Sequence, residues 1–250
     1  MAFYRKKIVP GTVPALFLHI QKTAGTSIVN VARQYYGENI TSHGDCWGKS
    51  HQELKPITFI SGHMGYHFAR PLMKNRFTFT FLRNPAERVL SMYYFCRTRN
   101  PAQFEIYELA HTMDLPTFLE ASLSNACARM HIWNNQVWQL AHGYTHLDNR
   151  TVDDFSEANL LLLAKQHLDE FSHVGFTETI DKDSRKILSA LGLPLPNEFP
   201  VENANVGRPT VATLPADTKA LLDQVILLDQ QLYDYAWKKF NPSLNETIGE

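Results

Sequence analysis

The chain has 250 residues, 44% of them hydrophobic and 20% charged, with 24 basic and 25 acidic residues and a formal net charge of −1. That composition excludes a disordered, collagen-like or coiled-coil chain. The charge balance excludes general nucleic-acid binding, which needs a basic surface, but leaves room for a local basic pocket.

Three scattered cysteines, Cys46, Cys96 and Cys127, make neither a disulfide framework nor a zinc knuckle, and they indicate a reducing compartment. No stretch approaches the roughly 18 apolar residues of a membrane span. The apolar run 15–20 behind Arg5-Lys6-Lys7 is too short for a signal sequence and continues into Gln21-Lys22-Thr23. The expectation is a single domain over residues 1–250, cytoplasmic unless the chain is a trimmed lumenal piece.

In chain order, residues 15–20 (ALFLHI) form a nearly continuous apolar run, as a strand buried on both faces should. The loop 21–27 then leads into helical sequence over 26–35. A second apolar run, 57–60 (ITFI), is followed by Ser61-Gly62-His63. A third, 77–82 (FTFTFL), alternates Phe77, Phe79 and Phe81 with Thr78, Thr80 and Leu82, the period of a strand. Arg83-Asn84-Pro85 comes next, with Asn84 as N-cap and Pro85 as the first residue of a helix over 85–95.

Further helices are predicted over 115–123, 129–141 and 152–168, then a fourth strand over 172–177. A helix over 180–191 is stopped by Gly192 with Pro194 beyond it. One last long helix begins near Pro215, its apolar face built from Leu221, Val225, Leu228, Leu232 and Ala236. Strands alternating with helices predict an α/β fold, a doubly wound and mainly parallel sheet flanked by helices. The helix-rich stretch 101–170 reads as an inserted lobe that shapes an acceptor cleft.

In an open α/β sheet, ligands bind beyond the carboxyl ends of the strands. The three early strands deliver Lys22, His63 and Arg83 to that edge. In the loop Lys22-Thr23-Ala24-Gly25-Thr26-Ser27, Gly25 permits a tight turn, and Thr26 and Ser27 open a helix whose free N–H groups suit an anion. Lys22 adds a compact positive charge. The loop lacks the G-x-x-x-x-G-K-[ST] order of nucleotide hydrolases, because its lysine precedes its glycine. An ordinary strand-to-helix turn with an exposed lysine is the plainer reading.

Ser91 stands about 10 Å along the helix from its start, at ~1.5 Å rise per residue. With Arg83 it forms a second anion-binding pair, since arginine offers forked donors to a phosphate. Pairing of Arg83 and Arg88 with Glu87 or solvent is the alternative. His63, on a glycine-flanked turn, is the candidate general base. The i, i+4 pair His63 and His67 has the spacing of some zinc sites, but no H-E-x-x-H motif surrounds it and Gly65 weakens a helix there, so no metal site is expected.

Together these residues resemble a known family. Lys22-Thr-Ala-Gly-Thr-Ser27 is similar to the 5′-phosphosulfate loop of sulfotransferases that use 3′-phosphoadenosine 5′-phosphosulfate (PAPS). Arg83-Asn-Pro-x-x-Arg88-x-x-Ser91-x-Tyr93 is similar to their 3′-phosphate motif. The Lys-Thr-Ala variant, the Gly-His turn, Val174-Gly-Phe-Thr-Glu178 and Asp229-x-x-Leu232-Tyr233 resemble the heparan sulfate 2-O-sulfotransferase branch of carbohydrate sulfotransferases. The likeness runs in patches from about residue 15 to 240.

The resemblance implies a P-loop-like fold and a soluble, bacterial-type enzyme that moves a sulfuryl group from PAPS to a hydroxyl of a carbohydrate or other small molecule. Lys22 and Thr23 to Ser27 would hold the phosphosulfate, Arg83 and Ser91 the 3′-phosphate, and His63 would be the base. Arg208, in the loop Asn203-Ala-Asn-Val-Gly-Arg208, is a further candidate for the 3′-phosphate, or else part of a solvated linker. Where the branch often carries His-Gly-His, this chain has Ser61-Gly62-His63. Trp133, Trp138 and Tyr144 are candidates for stacking on an acceptor, or for the core. The alternatives are an ATP- or GTP-dependent phosphotransferase and a non-catalytic nucleotide- or carbohydrate-binding module.

Overall fold

The computed structural model describes residues 9–196 and 209–241. Among them are four strands: β1 (Ala15–Leu18), β2 (Phe59–Gly62), β3 (Phe77–Leu82) and β4 (His173–Phe176). The helices are α1 (Thr26–Tyr36), α2 (His51–Leu54), α3 (Tyr66–Met73), α4 (Pro85–Cys96), α5 (Glu105–Thr112), α6 (Leu115–Ala121), α7 (Ala126–Ile132), α8 (Asn135–Ala141), α9 (Glu157–Leu168), α10 (Ile180–Ala190), α11 (Ala216–Val225) and α12 (Leu227–Phe240). The strands form one sheet in the order β2-β1-β3-β4, every pair parallel. This is the α/β architecture expected from the alternation of elements.

Period two sorts the side chains of the sheet. Ala15 and Phe17 of β1 join Phe59, Phe79 and Phe81 against α1 and α10, where Ile28, Val29, Ile187 and Leu188 are buried. Leu16 and Leu18 face the other way, with Ile60, Leu82 and Phe176, onto α3, α8, α9 and α12. Every residue of β1 is therefore fully buried, as its unbroken apolar run implied. Each such large apolar side chain contributes ~1.5–3 kcal/mol by leaving water.

The stretch 101–170 is helical but does not form one lobe. Its first half, α5 to α7, packs with α4 and α11 around a separate core that includes Phe118, Leu119, Ile132 and Leu222. Its second half, α8 and α9, is the covering layer of the sheet itself. Trp133 and Trp138 are buried in that layer, so neither is available for an acceptor.

The helix expected over 152–168 is a separate 3-10 turn, Val152–Asp154, followed by α9, and two further predicted helices are each broken in two. The helix expected over 129–141 is interrupted at Asn134, whose φ of 40° is left-handed. The last helix is interrupted at Ile226. The breaks answer each other across the fold. Asn134 Oδ1 accepts the Leu228 and Asp229 N–H groups at 2.8 and 2.9 Å and so caps α12. The Asp229 carboxylate accepts those of Gln136 and Val137 at 3.2 and 2.8 Å and so caps α8. Two orphaned helix starts are satisfied by exchange.

Register positions the functional edge. Leu18 pairs with Gly62 and with Thr80, so β1 and β2 end level while β3 continues for two more residues. His19 and His63 therefore leave the sheet side by side, and Arg83 leaves at the height of the loop that follows β1. The strand order reverses between β1 and β3, which is where such sheets open a ligand crevice.

Candidate active site

A cavity of about 1010 Å³ opens at this edge. Lys22, Ala24, Thr26, Ser27, His63, Arg83 and Ser91 all line it, so residues from all three strand ends meet there. Its other walls come from loop 43–47, α4 and the α5–α7 helices, and include Trp47, Phe95, Tyr107, Met130 and Tyr144.

Gly25 in the loop after β1 has an ordinary helical φ of −66°, so a tight turn is not what demands glycine. Space is: a Cβ there would stand 2.5 Å from the Phe17 ring and 2.6 Å from His19 Nε2. The unusual backbone lies on either side of Thr23, at Lys22 (φ 69°) and Ala24 (φ 64°). Left-handed residues in such a loop turn successive N–H groups toward one point, a nest for an anion, and strain of this kind collects at functional sites. Thr23 is fully buried and spends its hydroxyl on the Ile20 carbonyl at 2.8 Å, so it holds the loop in shape. Among the described residues no side chain caps the N-terminus of α1, and no acidic residue occupies its first turn, so the positive end of the helix suits an anion.

The second candidate anion-binding element, Arg83 with Ser91, is held by its own set of hydrogen bonds. Asn84 caps α4 through a 3.2 Å bond from the Glu87 N–H, with Pro85 at the first helical position. Arg83 N–H donates to Gln136 Oε1 at 2.9 Å, and Gln136 Nε2 returns a 3.0 Å bond to the Arg83 carbonyl. Glu178 accepts the Asn84 N–H at 2.7 Å and also meets the Tyr233 hydroxyl, which gives the Val174–Glu178 and Asp229–Tyr233 sequences a shared role in holding this turn. The Arg83 guanidinium donates to the Lys22 carbonyl at 3.1 Å and lies 3.9 Å from Glu87. Arg88, by contrast, is fully buried away from the cavity, donating to the carbonyls of His131 and Ile132.

His63 Nδ1 lies 2.8 Å from the carbonyl oxygen of His19. That contact selects the Nδ1–H tautomer and leaves the lone pair on Nε2. Burial depresses its pKa to about 4, against the opposing effect of the His19 hydrogen bond, with His43, Lys22 and His131 adding to the depression. At neutral pH the ring is uncharged and able to accept a proton. Lys22 Nζ stands 3.9 Å from the centre of the Phe95 ring, a cation–π contact that orients the ammonium across the cavity.

His19 and His43 also border this cavity, and neither stood out in the sequence. The rings of His19, His43 and His63 pack with centroids 4.5 to 5.6 Å apart. His19 could have been found as the polar residue ending an apolar strand; His43 lies in a loop with no local signal. Tyr144 lines the cavity. Arg208 and the residues before it in its loop lie outside the described residues. His63 and His67 do not form a pair: His67 belongs to a separate cluster with His142 and Asp148.

No helix of the described residues is long and apolar enough to cross a membrane. A search among curated proteins finds no match to this chain. A family model described as the sulfotransferase family matches residues 8–236, a span that contains loop 22–27, the Arg83–Ser91 segment, the His63 turn and all four strands. The chain belongs to the sulfotransferase family.

Proposed function

We propose that this protein transfers a sulfuryl group from PAPS to an acceptor hydroxyl, with His63 as general base. One observation carries the reading. A single cavity joins two separate anion-binding elements, the strained loop 22–27 and the Arg83–Ser91 pair, to an uncharged imidazole. A donor with anionic groups at two ends of a nucleoside matches that arrangement, and the start of α1, with no acidic residue in its first turn, suits one of those groups.

The donor supplies an activated sulfuryl group attached through an oxygen to phosphate. Loop residues Lys22, Thr23, Ala24, Gly25, Thr26 and Ser27 hold the phosphosulfate end with backbone N–H groups and hydroxyls. Arg83 and Ser91 hold the 3′-phosphate. His63 Nε2 takes the proton of the acceptor hydroxyl as its oxygen bonds to sulfur. Lys22 and the α1 N-terminus stabilise the negative charge left on the bridging oxygen when its bond to sulfur breaks.

Trp47 and Tyr144 flank the His63 end of the cavity. Aromatic rings with polar edges suit a sugar or another compact hydroxylated molecule. The test is transfer of radiolabelled sulfate from PAPS to a panel of hydroxylated acceptors, with His63→Ala beside the unaltered protein. Product formation that depends on His63 supports the reading. Transfer that is unaffected by His63→Ala removes the histidine from the role of base.

A further inference from the structure

The geometry points to a divalent transition-metal site, of the zinc class, formed by His67, His142 and Asp148 outside the cavity described above. His67 stands in the first turn of α3, His142 closes α8, and Asp148 lies in the loop beyond. One oxygen, Asp148 Oδ2, lies 3.2 Å from His142 Nε2 and 3.6 Å from His67 Nε2. The two imidazoles are stacked, with centroids 4.7 Å apart and planes 6° from parallel. A tetrahedral zinc with bonds of about 2.0–2.2 Å has ligand atoms roughly 3.4 Å from one another. The two spacings to the carboxylate oxygen bracket that value.

The hydrogen bonds around the cluster sharpen the argument. His142 has an acceptor at each ring nitrogen: the Gly143 carbonyl 3.1 Å from Nδ1 and the Asp148 carboxylate 3.2 Å from Nε2. A neutral imidazole carries one N–H and satisfies only one of them. With Nδ1–H on the carbonyl, the Nε2 lone pair faces a carboxylate oxygen, which is the arrangement of a metal-bound imidazole. His67 Nε2 is turned to the same oxygen, so one ligand atom from each of the three residues lies within 4.8 Å of the others. A ring nitrogen anchored to a backbone carbonyl is the usual outer support of a metal-bound histidine. Asp148 is supported too, its Oδ1 accepting the Arg150 N–H at 3.1 Å.

The site is rigid on one side and open on the other. His142 is buried, and its ring stacks on Trp138 and packs against Phe155. Its carbonyl accepts the His67 N–H at 3.0 Å, and Gly65 N–H donates to the Tyr144 carbonyl at 2.7 Å. The two chains cross so closely that a Cβ on Gly65 would stand 2.2 Å from the His142 carbonyl oxygen. His67 is half-exposed, which gives a metal a way in and leaves a position for water. A bound ion would clamp the turn after His63 to the loop that carries Tyr144. This inference stands independently of the sulfuryl-transfer reading.

The test is calorimetric titration of Zn²⁺ into the full chain after chelator treatment and dialysis, with Co²⁺ absorption to report the geometry. The expected result is one equivalent bound at micromolar or tighter affinity, with the intense visible bands of tetrahedral Co²⁺ and a Tm that rises with metal concentration. His67→Ala and Asp148→Asn, at accessible positions that tolerate change, should each weaken that equivalent by at least ~10-fold. His43→Ala, which dismantles the other histidine cluster, should leave it unchanged. No binding at tens of micromolar, binding indifferent to both His67→Ala and Asp148→Asn, or binding lost with His43→Ala would overturn the assignment.

Discussion

Arg83 donates from Nη1 to the main-chain carbonyl of Lys22 at 3.1 Å. The residue that begins the second anion-binding element thus props the backbone of the first, at a position whose φ of 69° is strained. On the proposed reading, Arg83→Ala removes a ligand for the 3′-phosphate and loosens the loop together. A hydrogen bond to a charged group is worth about 1.5–3 kcal/mol, so affinity for adenosine 3′,5′-bisphosphate should fall at least ~10-fold. Equilibrium dialysis checks this, and an unchanged affinity would remove Arg83 from the 3′-phosphate site.

His63→Ala should lower kcat by about 10²–10⁴-fold, the usual contribution of a general base, with little change in nucleotide affinity. Its pKa of about 4 in the free protein sets the acid limb of kcat/KM. As pH falls, activity should persist well below 6.5 and decline only as the ring gains its proton near pH 4. A pH–rate profile whose acid limb sits at 6.5 or above would contradict the base assignment. Lys22→Ala should cost a comparable factor in kcat, about 10²–10³-fold, because it removes charge stabilisation from the leaving oxygen.

Burial also makes the histidines a source of acid sensitivity. His19, His43, His63 and His131 all have pKa values depressed chiefly by desolvation. Between pH 6.5 and about 4 the unfolded chain binds protons that the folded chain refuses, so stability is lost as pH falls through that window. Asp229 has the opposite sign, since burial raises its pKa to about 6 and protonation there favours the folded state. His167 is depressed by burial in the same way, so five histidines against one carboxyl predict a Tm that drops between pH 7 and pH 5. Thermal melts across that range test it, and a flat Tm would show that the cluster stays hydrated.

Asp229→Ala should be severely destabilising. It uncaps α8 at two buried N–H groups and removes the buried charge that offsets that of Arg88. Each buried donor left unsatisfied costs about 1–3 kcal/mol. Asp229→Asn retains an acceptor oxygen and should lose less. Urea denaturation of both variants measures the difference, and equal losses would mean that the caps matter less than the charge.

Asn134 and Asp229 mark the limit of what the sequence reveals. Local signals sufficed where the chain satisfies its own needs: the period-two run of β3, the Asn84 and Pro85 start of α4, and the Gly192 stop with φ 66° after α10. The breaks at Asn134 and Ile226 were invisible because each helix start is completed by a residue more than ninety positions away. Likewise Lys22, His63, Arg83 and Ser91 were legible as residues that follow strands, and they do line one cavity. His43 was not, because its place beside His63 depends on how loop 41–50 folds back over β2, where its carbonyl accepts the His63 N–H at 3.0 Å. Gly25 was legible as a requirement but for another reason, since Phe17 and His19 take the space a side chain would need.

Calorimetric titration with adenosine 3′,5′-bisphosphate, beside 5′-AMP and ATP with magnesium, tests the central claim most directly. Two anion-binding elements on one cavity predict micromolar affinity that requires the 3′-phosphate and no metal. Equal binding of 5′-AMP, a preference for ATP with magnesium, or no binding at all would contradict the account.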